Sequence, residues 1–218
     1  EQEWSEWLGV KYSVFVNSGS SANLAMVYAL KLSKRLKNNK IILPCVSWVT
    51  TVSPAMQLGM EPILCETDKE TLGIDVVHFE KLCQEHNPSC VCIVHVLGIA
   101  NKMKEIQEIC NKYDVILLED SCESVGTKYN EKQTGTFGIM SSFSTYFGHH
   151  YSTIEGGFVC TDDYELYEIL KSIRSHGWSR DLSIDTKKKF QEKYEIDDFR
   201  NLYTFYYPGF NLRATEIQ

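Results

Sequence analysis

Residues 115–120 read Val-Ile-Leu-Leu-Glu-Asp, an apolar run of strand length that ends in two acids. Such a run is typical of a buried strand in a parallel sheet. Similar apolar runs recur along the chain, at 13–17, 40–44, 61–66 and 89–97. Segments with helical periodicity lie between them, at 20–36, 47–58, 76–85 and 102–113. This alternation predicts an α/β fold, a mainly parallel sheet between helices.

The alternation of apolar runs and helical segments changes after residue 124. Shorter apolar runs at 140–146 and 156–161 are followed by a helical pattern at 163–176. The polar stretch 181–200, which contains three consecutive lysines, predicts a solvated excursion or flap. Residues 214–218 have the composition of a helix start. We therefore expect both ends of the chain to be truncated.

Composition narrows the class of protein. The chain has 218 residues, 43% of them hydrophobic, which suits one globular domain with a sizeable core. A formal net charge of −7 disfavours a nucleic-acid partner. No apolar stretch approaches the roughly 20 residues that span a bilayer. The eight cysteines are scattered without a CxxC pair, which indicates reduced thiols and a soluble, cytoplasmic protein.

In parallel sheets, ligands gather where strands end. After the first strand comes Asn17-Ser18-Gly19-Ser20-Ser21-Ala22-Asn23, a small-residue turn that leads into a long helix. Free backbone N–H groups, serine hydroxyls and the positive helix end could bind a phosphate there. A plain helix N-cap explains the same residues, and both interpretations remain open.

Two further strand ends carry groups suited to a flat, heteroaromatic ligand. Asp120 could hold a proton on a ring nitrogen, or it could cap the following turn. Trp48, just past the second strand, could stack on a ring or serve packing alone. Both pairs of alternatives stay open at this point.

Two histidine-bearing segments could also carry chemistry. His149 and His150 lie in a loop rich in glycine and hydroxyl groups, where an imidazole could act as a base. Adjacent residues on an extended segment point apart and no third ligand lies nearby, so we expect no metal site. The segment 174–180 contains His176 and Arg180 and could bind a diphosphate or form a polar surface turn.

Taken together, these segments resemble the DegT/DnrJ/EryC1/StrS family of sugar aminotransferases and dehydratases over nearly the whole chain. The motifs that carry the resemblance occur in order, as SGSSA at 18–22, PCVSWVTT at 44–51, VHVLG at 94–98, EDSCESVG at 119–126, EGG at 155–157 and PGFNLRATEIQ at 208–218. The resemblance implies an aspartate-aminotransferase-like (fold type I) large domain over 1–218. A seven-stranded type of sheet is expected, with the small C-terminal domain largely missing.

The resemblance also implies pyridoxal 5′-phosphate, interconverting with pyridoxamine 5′-phosphate. Asp120 would bind the pyridine nitrogen, Trp48 would stack on the ring and Glu123 would lie near the ring hydroxyl. The phosphate would be held by Gly19, Ser20, Ser21 and Ser144. Asn211 would reach the site of a neighbouring subunit, which implies a homodimer with shared active sites. Weaker expectations for substrate contact fall on His95, His150, His176 and Arg180.

His149 is the departure from the family pattern. The family's Schiff-base lysine lies six residues before the glutamate of the EGG motif, and His149 occupies that position. No lysine occurs between Lys132 and Lys171. This substitution looks like the histidine-containing GDP-4-keto-6-deoxymannose 3-dehydratase subgroup, which serves deoxysugar and O-antigen biosynthesis.

The resemblance therefore implies a lyase reaction on a nucleotide-linked sugar. The expected reaction is removal of the C3 hydroxyl from an NDP-4-keto-6-deoxyhexose, with His149 as the base and glutamate as the amino donor. Two alternatives remain, an NDP-4-keto-sugar aminotransferase and a catalytically inactive relative that only binds the cofactor.

Overall fold

A computed structural model describes all residues, 1–218, and its centre is a seven-stranded sheet. The strands of this sheet are β1 (Tyr12–Val16), β2 (Lys40–Pro44), β3 (Glu61–Cys65), β4 (Cys90–Val94), β5 (Ile116–Asp120), β8 (Met140–Ser144) and β9 (Gly157–Thr161). A separate two-stranded hairpin consists of β6 (Lys128–Tyr129) and β7 (Lys132–Gln133). The large sheet has the order β1-β9-β8-β5-β4-β2-β3, and β9 alone runs antiparallel to its neighbours.

Helices cover both faces of this sheet. They are α1 (Gln2–Leu8), α2 (Gly19–Leu32), α3 (Val49–Gln57), α4 (Val76–His86), α5 (Met103–Tyr113), α6 (Tyr164–Arg174), α7 (Ile184–Tyr194) and α8 (Asp198–Asn201). Alternate strand residues point to opposite faces, so Ile41 and Leu43 pack with α2 and α6 while Ile42 packs with α4 and α5. The predicted α/β architecture is confirmed. None of the helices is both long and apolar enough to cross a membrane.

The structure corrects the sequence-based boundaries in three places. The run 89–97 is a strand only to Val94, after which the chain turns through Val96–Gly98 with Leu97 at a φ of 52°. The polar stretch 181–200 contains α7 and α8, neither of which has a buried residue. The expected helix at 214–218 is wrong, because Gln218 folds back in a turn in which its side chain bonds Thr215 and Glu155.

Candidate active site

The turn between β1 and α2 is held by its own hydroxyl groups. Ser18 is the N-cap of α2 and its Oγ accepts a hydrogen bond from the Ser21 N–H at 3.1 Å. The Ser21 hydroxyl donates to Asn17 Oδ1 at 2.6 Å. This confirms the N-cap interpretation without excluding an anion, because the first N–H groups of a helix have no intrahelical partner.

The start of α2 meets the end of β8. A side chain at Gly19 would collide with Ser144, so only glycine allows the two segments to approach so closely. The Ser20 hydroxyl lies 3.2 Å from Thr50 Oγ1, which joins the start of α2 to the start of α3. Three of the predicted phosphate ligands, Gly19, Ser20 and Ser144, therefore lie in contact or on adjoining segments.

Asp120 lies at the end of β5 and is only 3% exposed. Its Oδ2 accepts hydrogen bonds from Asn23 Nδ2 and from Thr51 Oγ1, both at 2.8 Å. Its Oδ1 accepts the Cys122 N–H at 3.2 Å, as in a turn cap. Because a carboxylate has about four acceptor positions, Oδ1 retains capacity for a further donor.

Trp48 is the N-cap residue of α3 and is 70% exposed. The protein buries little of its indole, which disfavours the packing interpretation. Its helix is joined to Asp120 through Thr51. Through Thr50 it is joined to the predicted phosphate-binding turn at residues 17–23, called the phosphate turn below. An exposed indole thus stands on a helix that is fixed to both other parts of the candidate site.

The loop that contains His149 and His150 is closed at its base by hydrogen bonds between Thr145 and Thr153. Thr145 and Thr153 join their hydroxyls at 2.6 Å, and the Thr153 N–H donates to the Thr145 carbonyl. His149 is half-buried, with its ring edge-on to Tyr146 at a centroid distance of 5.7 Å. Neither imidazole nitrogen of His149 has a hydrogen-bond partner within the chain, so both are free to exchange a proton with a ligand. His150 is exposed.

His95 differs from its predicted role. It is fully buried, its Nε2 lies 3.0 Å from Glu119 Oε2, and its Nδ1 accepts the Asn101 N–H at 3.3 Å. Both ring nitrogens are thus used inside the protein, and no surface of His95 is left for a substrate.

Glu123 is half-buried and holds the turn after β4. Its Oε2 accepts the Leu97 N–H at 2.8 Å, which brings the loop after β4 against the loop after β5. Glu123, the predicted neighbour of a cofactor hydroxyl, therefore lies three residues beyond Asp120 and contacts the loop after β4.

The remaining predicted residues, His176, Arg180 and Asn211, are all exposed. His176 and Asn211 lie on paired segments, and Arg213 bonds Asn211 Oδ1 at 3.1 Å and approaches His176 Nε2 at 3.5 Å. The Asn17 N–H donates to the Leu212 carbonyl, which attaches the segment that contains Asn211 to the phosphate turn. Arg180 is exposed and its guanidinium stands over Trp178 at 5.5 Å.

Sequence reasoning missed Asn23, Thr51 and Ser142. Asn23 and Ser142 are buried, and Ser142 Oγ donates to Asn23 Oδ1 at 2.5 Å. The available signal was a polar residue in the apolar face of α2, since a buried amide requires partners. The structure brings no three His, Cys, Asp or Glu side chains together as a potential metal site.

The amino-acid sequence is similar to those of known enzymes over the whole chain. The chain is 42% identical over 220 residues to GDP-4-keto-6-deoxy-D-mannose 3-dehydratase of Yersinia pseudotuberculosis, covering all of this chain and 55% of the relative. It is 40% identical to the protein of that name from Escherichia coli O55:H7, covering all of this chain and 56% of the relative. The chain thus spans about half the length of these curated relatives.

The fold of the chain is also similar to that of solved structures of such proteins. The E. coli GDP-4-keto-6-deoxy-D-mannose-3-dehydratase with bound hydrated PLP superposes with a TM-score of 0.86 at 38% identity, over all of this chain and 56% of that one. The model of the DegT/DnrJ/EryC1/StrS aminotransferase family matches residues 1–218. The expected aminotransferase-like fold is confirmed, and the chain belongs to the DegT/DnrJ/EryC1/StrS aminotransferase family.

Proposed function

We propose that this chain is the cofactor-binding large domain of a pyridoxal-phosphate-dependent 3-dehydratase that acts on a GDP-linked 4-keto-6-deoxyhexose. The observation that carries the proposal is His149, a proton-transfer group with free ring nitrogens at the family's lysine position. Relatives at 40–42% identity that are 3-dehydratases support the same reaction.

The groups of the candidate site are suited to binding pyridoxal phosphate. Asp120 offers a buried oxygen to a ring N–H, the exposed Trp48 indole offers a stacking face, and the start of α2 offers N–H groups to a phosphate. Gly19 allows that helix start to lie close against Ser144. Glu123 would lie beside the ring hydroxyl, and Ser20, Ser21 and Ser144 would supply hydroxyl donors.

When bound, the cofactor in its amine form would supply an amine that condenses with the sugar C4 ketone and a ring that accepts electron density. Asp120 would hold the proton on the ring nitrogen, and the resulting positive charge favours that electron flow. His149 would take a proton from the C4′ carbon of the cofactor and could pass it to the departing C3 hydroxyl. Trp48 would cover one ring face and exclude water from it.

The lack of a lysine decides the outcome of the reaction. An imidazole cannot form a Schiff base with the cofactor aldehyde, so the cofactor would be held by noncovalent contacts alone. No amine would be present at this position to reprotonate the sugar C4 atom and complete a transamination. The products would be a 3-deoxy sugar and ammonia.

We further propose glutamate as the amino donor and a homodimer in which Asn211 reaches the neighbouring site. His150, His176 and Arg180 remain proposed substrate contacts, since all three are exposed and the last two carry or adjoin positive charge. Residues 181–200 are proposed to move as a flap.

Product analysis tests this function. The protein is incubated with pyridoxal phosphate, glutamate and GDP-4-keto-6-deoxymannose, and ammonia and sugar mass are measured. We expect 2-oxoglutarate, ammonia and a sugar with one oxygen fewer, because glutamate supplies the two electrons. A 4-amino sugar that retains its C3 oxygen would indicate an aminotransferase, and an unchanged sugar without ammonia would indicate a non-catalytic binding protein.

Replacement of the proposed base gives a second prediction. We expect His149→Asn to lower the dehydration rate about 10²–10⁴-fold, the usual contribution of a positioned acid–base group. Cofactor binding, followed by absorbance, should persist, because the proposed contacts with the ring nitrogen, the ring face and the phosphate come from other residues. His86→Asn, at the last residue of α4 and outside the candidate site, is the matched control, and an equal loss in both variants would contradict the assignment of His149. Borohydride reduction of the unaltered protein should leave no pyridoxyl-lysine peptide.

A further inference from the structure

We propose that Asn23, Thr51 and Ser142 are positioning residues that fix the orientation of the Asp120 carboxylate, so that one oxygen is anchored and the other faces the cofactor ring nitrogen. The inference rests on the proposed cofactor binding. It assigns Oδ1 as the oxygen for the ring N–H and Oδ2 as the anchored oxygen.

The anchoring of Oδ2 follows from the chemistry of its two partners. Asn23 Nδ2 can only donate, and it lies 2.8 Å from Oδ2. The Thr51 hydroxyl donates to the same oxygen at 2.8 Å. With two donors on one buried oxygen, a tilt of the carboxylate plane away from this orientation would leave both donors without their acceptor.

The acceptor-only carboxylate of Asp120 sets the direction of the Asn23 amide, and Ser142 satisfies the other end of that amide. Its hydroxyl donates to Asn23 Oδ1 at 2.5 Å, on the side of the amide away from Asp120. A flipped amide would place two acceptor oxygens against each other at Asp120, inside a buried environment where such an error is costly. The chain Ser142–Asn23–Asp120 therefore has one favourable hydrogen-bond direction.

Oδ1 is the oxygen left for a ligand. Its one backbone partner is the Cys122 N–H at 3.2 Å, two residues along the chain, and no hydroxyl or amide side chain donates to it. The same carboxylate is thus fully engaged on one oxygen and available on the other. A ring N–H that approaches along the open direction of Oδ1 meets an acceptor whose orientation is already established.

The three positioning residues come from three different elements. Asn23 belongs to α2, which begins at the phosphate turn, Thr51 belongs to α3, which begins after Trp48, and Ser142 lies on β8 two residues before Ser144. Asp120 is therefore linked to α2, to α3 and, through Asn23, to β8. Removal of one donor should disturb the ring-nitrogen contact while leaving the phosphate cradle and the indole present.

The test uses Thr51→Val, which removes the hydroxyl at nearly constant volume, and Thr51→Ser, which keeps it. Each protein is loaded with pyridoxamine phosphate labelled with ¹⁵N in the ring, and the ring-nitrogen chemical shift and dissociation constant are measured. We expect Thr51→Val to move the shift toward that of an unprotonated pyridine and to weaken binding about tenfold or more, as for loss of a hydrogen bond to a charged group. Thr51→Ser should restore both values.

Ser142→Ala is the second variant, and it probes the amide direction without touching the Asp120 donors. We expect a smaller change of shift in the same direction. A folded Thr51→Val or Ser142→Ala protein with unaltered shift and affinity would overturn the positioning role of the residue concerned. Failure of the unaltered protein to bind pyridoxamine phosphate would instead overturn the proposed function, and the positioning role with it.

Discussion

Glu119 and Asp120 are adjacent acids to which the fold assigns opposite tasks. Successive strand residues point to opposite faces of a sheet, so Asp120 faces α2 and α3 while Glu119 faces the segment before β8. Glu119 accepts hydrogen bonds from three backbone N–H groups there, those of Gly135, Phe137 and Gly138. Together with His95 these donors use the whole carboxylate, which makes Glu119 a structural residue.

We expect Glu119→Gln to lower the free energy of unfolding by about 2–4 kcal/mol, because an amide NH₂ would face backbone donors in a fully buried environment. Urea denaturation checks this value, with Glu108→Gln on the exposed surface of α5 as the control. The effect on cofactor affinity should be far smaller than that of an Asp120 substitution. Equal stabilities of the two variants would contradict the structural role of Glu119.

At the scale of elements, α6 depends on the residue that immediately precedes it. Asp163 is the N-cap, and its Oδ1 accepts the Leu166 N–H at 3.0 Å. The Arg35 guanidinium binds the same carboxylate through two nitrogens, at 2.6 and 3.1 Å. Arg35 lies just after α2, so one carboxylate both begins α6 and ties it to the helix beside it.

We expect Asp163→Ala to cost about 1–2 kcal/mol, chiefly through the lost cap, with a small share from the partly exposed ion pair. Asp163→Asn keeps a capping oxygen and should cost less. Hydrogen bonding to Arg35 lowers the pKa of Asp163 below its ordinary value of 3.8, so the stabilising effect is present above that pH and is lost as pH falls through the folded-state pKa. Denaturation curves at pH 7 and below pH 4 should show the advantage over Asp163→Asn shrinking with acid.

Predictability also differed between elements. The long apolar runs gave strand positions within a few residues, because strands such as β4 and β5 are buried on both faces and are therefore mostly apolar. The short helix α1 escaped prediction, since its seven residues owe their structure to packing of Trp4 on Phe143 and Phe158. Partners of Asp120 could not be read from sequence because Asn23 lies 97 positions away.

At the scale of the whole molecule, the cysteines report on the core. Of the eight, Cys45 is exposed, Cys122 is half-buried and the others are buried. Burial raises the pKa to about 12 for Cys65, Cys83, Cys90, Cys110 and Cys160. Burial, reinforced by the Asp120 charge, raises the pKa of Cys92 and Cys122 well above the ordinary value. The core therefore holds neutral, unreactive thiols.

We expect a disulfide reagent such as Ellman's to titrate one thiol rapidly in the native protein, because Cys45 alone is exposed. Cys45→Ser should remove this fast phase, and urea should release the remaining seven thiols together if the domain unfolds as one unit. A second fast thiol in Cys45→Ser would show that the sheet opens near Cys122.

The position of the antiparallel strand β9 affects when, during synthesis of the protein, the turn after β1 can adopt its final structure. The first strand, β1, has no neighbour in the large sheet except β9, and Tyr12 pairs with Thr161. The partner of Tyr12 lies about 150 positions later along the chain, so the turn that follows β1 is unsupported on one side until β9 has been made. At about 5–20 residues per second, a ribosome needs roughly 7–30 s to make the segment from β1 to β9. The turn at residues 17–23 is therefore completed only after β9 has inserted, long after its own residues have been synthesised.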